Sequence, residues 1–181
     1  MATSEELSAG RDHSTGFPPV ARADARVLVL GSLPGRRSIA ADQYYAHPQN
    51  AFWRIMADLV AATGDYVDRC ETLMGSRIAL WDVLATSVRP GSMDADIEMA
   101  TAKANDFDDF LTQHSDIGLI CFNGQKAAQL FSRFVEPDLN HAKPTTLTLP
   151  STSPAYAAMS YAEKRENWHA AIATSIPTAG A

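Results

Sequence analysis

Four short apolar runs divide the chain, and amphipathic stretches separate them. Arg26-Val27-Leu28-Val29-Leu30 is the first run. It is apolar and partly β-branched, which predicts a strand buried on both faces. Gly31-Ser32-Leu33-Pro34-Gly35 breaks it sharply, and a long loop is expected to run on to about Gln49. From Asn50 to Ala62, Phe52, Trp53, Ile55, Met56 and Leu59 recur at helical spacing. Ile78 to Leu84 reads as a second strand, and Asp106 to Gln113 as a helix. Ile117 to Phe122 is a third buried strand, closed by Asn123-Gly124 and followed by a helix from Gln125 to Phe134. Thr145 to Leu149, built only of threonine and leucine, is the fourth strand. Pro150 stops it, and a last helix is expected from Ser160 to Thr174.

Strands that alternate with helices predict an α/β fold. The expected form is three layers, α/β/α, around a central, mostly parallel, four-stranded sheet. Residues 23–176 form the expected domain. Residues 1–22, with Gly10, Gly16 and Pro18-Pro19 and little periodicity, are expected to be a flexible arm, and 177–181 a tail. In sheets of this kind ligands bind at the carboxyl ends of the strands. Those ends are Gly31 to Gly35, Thr86 to Asp94, Asn123-Gly124 and Pro150 to Tyr156. All four are rich in Gly, Pro, Ser, Thr or Asn, so one rim is expected to hold the site.

Composition narrows the function classes. No apolar run among the 181 residues approaches the roughly 18 needed to span a bilayer, so no membrane partner is expected. The N-terminus has no apolar core for a signal peptide, and a cytoplasmic location is the default. The two cysteines, Cys70 and Cys121, lie far apart and are expected to be reduced. Two thiols cannot supply the four of an ordinary iron–sulfur cluster. His13, His114, His141 and His169 lack ligand spacing with each other or with the cysteines, so no metal and no cofactor are expected. The net charge of −6 and pI of about 5.3 argue against broad, nonspecific nucleic-acid binding. A small local footprint with few phosphate contacts is compatible with them.

The Gly31–Gly35 turn sets backbone N–H groups and a hydroxyl at a strand end, where they can hold an anion or position a water. It has neither the spacing of a dinucleotide fingerprint nor the Gly-Lys-Ser/Thr of a Walker A loop. Read on through Tyr44-Tyr45-Ala46-His47-Pro48-Gln49-Asn50-Ala51-Phe52-Trp53, it resembles the first motif of the mismatch-specific uracil- and thymine-DNA glycosylases. Those carry a Gly-x-Asn-Pro-Gly turn, an aromatic residue and a Pro-x-Asn-x-Phe-Trp helix start. Here the turn lacks its asparagine and has Ser32 instead. With Tyr44-Tyr45 and the later Ser151-Thr152-Ser153-Pro154-Ala155, the pattern resembles the hypoxanthine-DNA glycosylase branch of the uracil-DNA glycosylase superfamily. Leu80-Trp81-Asp82-Val83-Leu84 with Gly91-Ser92-Met93-Asp94 resembles that branch's central segment. Phe122-Asn123-Gly124-Gln125-Lys126-Ala127 resembles its Phe-Asn-Gly-Lys-x-Ala strand end, with Gln125 in place of lysine. The likeness spans roughly Arg26 to Trp168.

The resemblance implies a uracil-DNA glycosylase-like fold and a monofunctional repair enzyme. Such an enzyme flips a damaged or mismatched base out of double-stranded DNA and hydrolyses its glycosidic bond, leaving an abasic site; the expected base is a deaminated one, hypoxanthine first and uracil as the alternative. Asn50 is then the catalytic residue, orienting water, with Ser32 and the Gly31–Gly35 backbone as helpers. Tyr45 stacks on the base, Asn123 reads its edge, and Gly31 and Leu33 complete the pocket. Ser151, Thr152 and Ser153 pin the strand, and Pro154, Ala155 and Tyr156 fill the vacated space, as apolar wedges do. A monomer is the default. Arg36, Arg37, Arg89 and Lys143 are expected near the rim, within reach of phosphates.

Each residue also has a plainer reading. Asn50 can be a helix N-cap, with Phe52 and Trp53 as core anchors. Tyr44 and Tyr45 can close the loop over the core, His47 can bond backbone, and Ser151 and Ser153 can shape a turn. Asp82, inside a strand, reads as a structural acceptor. Two other functions stay open: a hydrolase of free nucleosides or nucleotides, which suits the acidic pI, and an inactive binding module, which suits the missing asparagine.

Overall fold

A computed structural model describes residues 13–140 and 143–176. Its spine is β2 (Val27–Gly31), buried along its whole length. β3 (Ile78–Asp82) lies on one side of it; β6 (Leu119–Asn123) and then β7 (Thr145–Leu149) lie on the other. All three pairings are parallel, giving the order β3-β2-β6-β7. β7 is one of the two edge strands, and its first four residues are exposed, which suits its threonines. The register sets Gly31 opposite Asp82 and Asn123 opposite Leu149, all at carboxyl ends.

The helices are α1 (Arg36–Ala41), α2 (Phe52–Val60), α3 (Tyr66–Gly75), α4 (Phe107–Gln113), α5 (Gln125–Phe134) and α6 (Tyr161–Ile172). They form two groups. α2 packs against α3 and α6, with the Phe52 ring 6.0 Å from that of Trp168. α4 meets α5 through Phe107 and Phe131, 5.2 Å apart, with Trp81 of β3 5.1 Å from Phe107. The chain leaves β2 in one direction to reach β3 and returns past it to β6. Right-handed crossovers then put the two groups on opposite faces. The three-layer expectation holds, and the four expected strands each appear within a few residues of the ends read from the sequence.

Several expectations need correction. The run from Ile78 to Leu84 is not one strand. It breaks after Asp82, and β4 (Leu84–Val88) joins a second, antiparallel sheet with β1 (His13–Thr15) and β5 (Lys103–Ala104). Of the expected arm, residues 1–12 fall outside the described residues. The rest is tied down: β1 pairs with β4, and Val20 bridges to Leu80. The expected tail, 177–181, also lies outside the described residues. The supposed long loop holds α1. The whole of α3 was hidden because only Cys70 and Leu73 of it are buried, which leaves little hydrophobic period. Its start is marked by a reciprocal capping box, Asp65 with Asp68, behind Gly64 at φ +90°. Both cysteines are buried and free.

Candidate active site

Four loops meet over the carboxyl ends of β2, β3 and β6. Strand order changes direction on either side of β2, which opens a crevice there. The crevice is a cavity of about 620 Å³. Gly31–Ser38, Tyr44, Tyr45, His47 and Asn50 line it, with Asp82, Ser92–Ala95, Asn123 and Ser151–Tyr156. The two segments carrying the strongest motifs are thus brought together from distant parts of the chain. They also touch, since Ala51 N–H donates to the Thr152 carbonyl at 2.9 Å.

Asn50 is half-buried just before α2. Its Oδ1 accepts from Phe52 N–H at 3.0 Å, so it satisfies a first-turn amide from the position before the N-cap, Ala51. An amide oxygen has two lone pairs. That bond uses one and fixes the group, leaving a second acceptor direction at the cavity wall.

The Gly31–Gly35 turn is held from below by a cation that sequence reading placed at the surface. Arg89 is 1% exposed and donates to the Leu33 carbonyl at 3.2 Å and also to that of Pro34. It is a buried strut, and the expectation that it reaches phosphates is withdrawn. Burial lowers its pKa, opposed by Asp94, Asp82 and Asp96. Leu33 is buried in this turn. Ser32 donates to Asp94 Oδ1 at 2.5 Å, bringing a half-buried carboxylate to the wall.

Asp82 was read as a structural acceptor, and its backbone is one: Asn105 Nδ2 donates to its carbonyl at 2.8 Å. Its carboxyl, 4% exposed, faces the cavity floor, and Oδ2 has no hydrogen-bond partner among the described residues. Burial, then the nearby Asp94 charge, push its pKa up to about 7 against the pull of Arg89. A methyl group on Gly31 would collide with Asp82 Oδ1 and sit 3.0 Å from Tyr45 Oη. Glycine there lets β2 approach these two groups.

Tyr45 sits at φ 54°, a left-handed conformation that turns its ring inward. One ring face rests on Phe52, centroids 4.3 Å apart. Its hydroxyl is buried with no hydrogen bond of normal geometry among the described residues; burial, then the Asp82 charge, raise its pKa against the nearby Asn123 side chain. Tyr44 takes the plainer role: it is buried, and its hydroxyl donates to the Pro18 carbonyl at 3.1 Å. His47 Nδ1 accepts from Gln49 N–H at 3.1 Å, as the plainer reading had it.

Asn123 is largely committed. Its Nδ2 donates to Thr152 Oγ1 and its Oδ1 accepts from Thr152 N–H, both at 2.8 Å. One donor and one lone pair remain. Thr152 is 1% exposed and its amide, carbonyl and hydroxyl are all engaged, so it is a strut and no phosphate ligand. Thr152→Val strands the Asn123 amide. Such a loss costs about 1–3 kcal/mol and is expected to show as a lower Tm in a thermal melt.

Ser151 and Ser153 shape the loop, as their hydroxyls accept from Ser153 N–H and Ala155 N–H, each at 3.2 Å. Their own O–H hydrogens have no acceptor among the described residues. Pro154, Ala155 and Tyr156 form an exposed tip, with Tyr156 39% exposed. α6 holds this loop from behind, a feature with no sequence signal beyond a lysine on a helix. Trp168 Nε1 donates to the Pro150 carbonyl at 2.9 Å, and Lys164 Nζ to the Tyr156 carbonyl at 2.7 Å. Of the cations expected at the rim, Arg36 and Arg37 line it and are exposed. Lys143 precedes β7 and so lies at the opposite end of the sheet. Among the described residues, no group of three or more His, Cys, Asp or Glu is placed to hold a metal ion.

Comparison with known proteins bears on this geometry. The model of the "Uracil DNA glycosylase superfamily" matches residues 18–174. A protein of Methanosarcina acetivorans named hypoxanthine DNA glycosylase is 38% identical over 141 residues, covering 76% of this chain and 85% of that protein. One of the same name from Methanosarcina barkeri is 37% identical over 117 residues, covering 63% and 73%. A solution structure from Methanosarcina acetivorans, described as a candidate uracil DNA glycosylase, superimposes with a TM-score of 0.71 at 32% identity. That match covers 87% of this chain and 98% of the other.

Proposed function

Because this chain belongs to the uracil DNA glycosylase superfamily, we propose that it is a monofunctional DNA glycosylase of base excision repair that removes hypoxanthine, and leaves an abasic site. The observation that carries this reading is the convergence of the Gly31–Gly35 turn, Asn50 and the Ser151–Tyr156 loop on one cavity. Its volume of about 620 Å³ suits a single nucleoside-sized guest.

The chemistry follows from the groups present. A base inside a duplex is out of reach, so the enzyme extrudes it at a cost of a few kcal/mol, less at a mispaired inosine. The Ser151 and Ser153 hydroxyls and the exposed Arg36 and Arg37 contact backbone phosphates, which reconciles DNA binding with a net charge of −6. Pro154, Ala155 and Tyr156 enter the gap left in the stack. The base lies beside Tyr45, above Gly31 and Leu33, within reach of the uncommitted part of Asn123.

Breaking the glycosidic bond builds positive charge on the sugar. Asn50 is too weak a base to deprotonate water. Its anchored oxygen instead orients the attacking water, while the Ser32–Asp94 pair supplies negative charge that favours the sugar cation. The enzyme acts as a monomer on double-stranded DNA. We place it in the cytoplasm; no helix among the described residues is long and apolar enough to cross a membrane.

A duplex carrying one deoxyinosine, assayed beside free deoxyinosine, tests the proposal. Release of hypoxanthine from the duplex alone is expected. Tyr156→Ala should weaken duplex binding by roughly tenfold, within the 1–3 kcal/mol typical of aromatic–base contacts. Cleavage of the free nucleoside at the duplex rate, unaffected by Tyr156→Ala, would instead support the nucleoside hydrolase reading.

A further inference from the structure

The proposed function leaves the two orphaned polar groups on the cavity floor unused. We propose that Asp82 and Tyr45 read the N7/O6 edge of a 6-oxopurine, with the Asp82 carboxyl donating its proton to N7 as the base departs. The inference rests on the glycosylase reading and adds to it a catalytic acid and the contacts that read the base edge.

Three observations converge. Asp82 is 4% exposed, lines the cavity, and has an Oδ2 without a partner among the described residues. Tyr45 Oη is likewise buried, beside the Asn123 side chain but without a hydrogen bond of normal geometry among the described residues. Both groups crowd the same face of Gly31, where a Cβ would strike one and press on the other. Buried polar groups are nearly always hydrogen-bonded, so two adjacent orphans facing one cavity indicate a missing ligand. Both can act as donors, so a ligand that presents two neighbouring acceptors satisfies them together. N7 and O6 of hypoxanthine form such a pair. Adenine has an amino donor in place of O6, so the Tyr45 hydroxyl would have to accept from it while Asp82 still donates to N7.

The charge environment keeps Asp82 protonated. Its neighbours are Asp94, which opposes ionisation, and Arg89, which favours it, with the neutral phenols of Tyr44 and Tyr45 beside them. Asp96 and Arg36 act at one remove, through Arg89. Burial prevails, and the carboxyl titrates at about 7. A carboxylic acid held neutral in this way is suited to general acid catalysis near neutral pH.

The Asp82 O–H proton passes to N7, and the C1′–N9 bond breaks with its electron pair going to the purine. Hypoxanthine leaves neutral, carrying hydrogen on N7. Water bonds to C1′ and loses a proton to solvent, and Asp82 regains one from solvent.

Single-turnover rates from pH 5.5 to 9 on a deoxyinosine duplex test this, together with Asp82→Asn and a 7-deaza-deoxyinosine duplex. Wild-type rates should be flat below pH of about 7 and fall about tenfold per unit above it. Asp82→Asn should bind the 7-deaza duplex as wild type does. It should cleave the deoxyinosine duplex roughly 10²-fold or more slowly at pH 6, with no fall at higher pH. Wild type should bind the 7-deaza duplex without cutting it. Cleavage of that duplex at the deoxyinosine rate, or a variant that keeps the wild-type pH slope, would overturn the proposal. Should Asp82→Asn fail to fold, the wild-type pH profile and the 7-deaza duplex still decide. Absence of base release by wild type at every pH would instead sink the underlying glycosylase reading.

Discussion

Replacing Asn50 by alanine is expected to slow hypoxanthine release from duplex DNA by roughly 10²- to 10³-fold, the range seen when one preorganised polar group is lost from an active site. The residue carries two jobs, and they can be separated. Its Oδ1 caps Phe52 N–H, so alanine also costs about 1 kcal/mol of stability. Aspartate caps as well as asparagine does and keeps an acceptor oxygen. Asn50→Asp should therefore melt near the wild-type temperature and retain much more activity than Asn50→Ala. The measurement is a single-turnover rate at saturating enzyme, which removes weak binding from the comparison. Activity in Asn50→Ala within a few-fold of wild type would reduce Asn50 to a cap.

The largest expected effect on stability is at Arg89. Arg89→Met keeps much of the volume but removes the donors to the Leu33 and Pro34 carbonyls. It also removes the cation that faces Asp82 and Asp94. Breaking a buried charge constellation from one side costs about 3–5 kcal/mol. In a domain of this size that corresponds to a Tm drop on the order of 10 °C. The loss should depend on pH, with a definite sign. The folded-state pKa of Asp82 is already raised to about 7. The unfolded chain therefore gives up this proton first, and stability falls as pH rises from about 4 to about 7. Without Arg89 the carboxyl is raised further, so the fall continues above pH of about 7 at about 1.4 kcal/mol per unit. Melts of Arg89→Met at pH 5 and pH 8 should differ from wild type least at the lower value. An equal deficit at both would show that Arg89 acts only on the turn.

What the sequence disclosed follows from how each feature is encoded. Val27 to Leu30 and Leu119 to Phe122 are unbroken apolar runs, since both sheet faces are covered there, so these strands were legible. The site-bearing loops were legible because turns at strand ends need Gly, Pro, Ser and Asn, and these stand out between apolar runs. The second sheet was not, because β5 is only Lys103–Ala104 and β1 only His13–Thr15. Strands that short carry no period. Arg89 was placed at the surface because a lone arginine in a polar segment is normally solvated. Only the structure shows the carbonyls of a turn 55 residues earlier closing on it. The setting of Asp82 was hidden for a related reason. A single acid in an apolar strand usually has a structural partner, and that its Oδ2 lacks one among the described residues is a fact of packing.

The central claim is that the cavity over β2, β3 and β6 receives a base extruded from a duplex. A crystal structure of Asn50→Ala bound to a duplex with one deoxyinosine tests it most directly. The account predicts hypoxanthine seated between Tyr45, Asn123 and the Gly31–Gly35 turn, with Pro154 to Tyr156 in the gap it left. Inosine still stacked in the helix, or DNA bound on another face of the molecule, would contradict it.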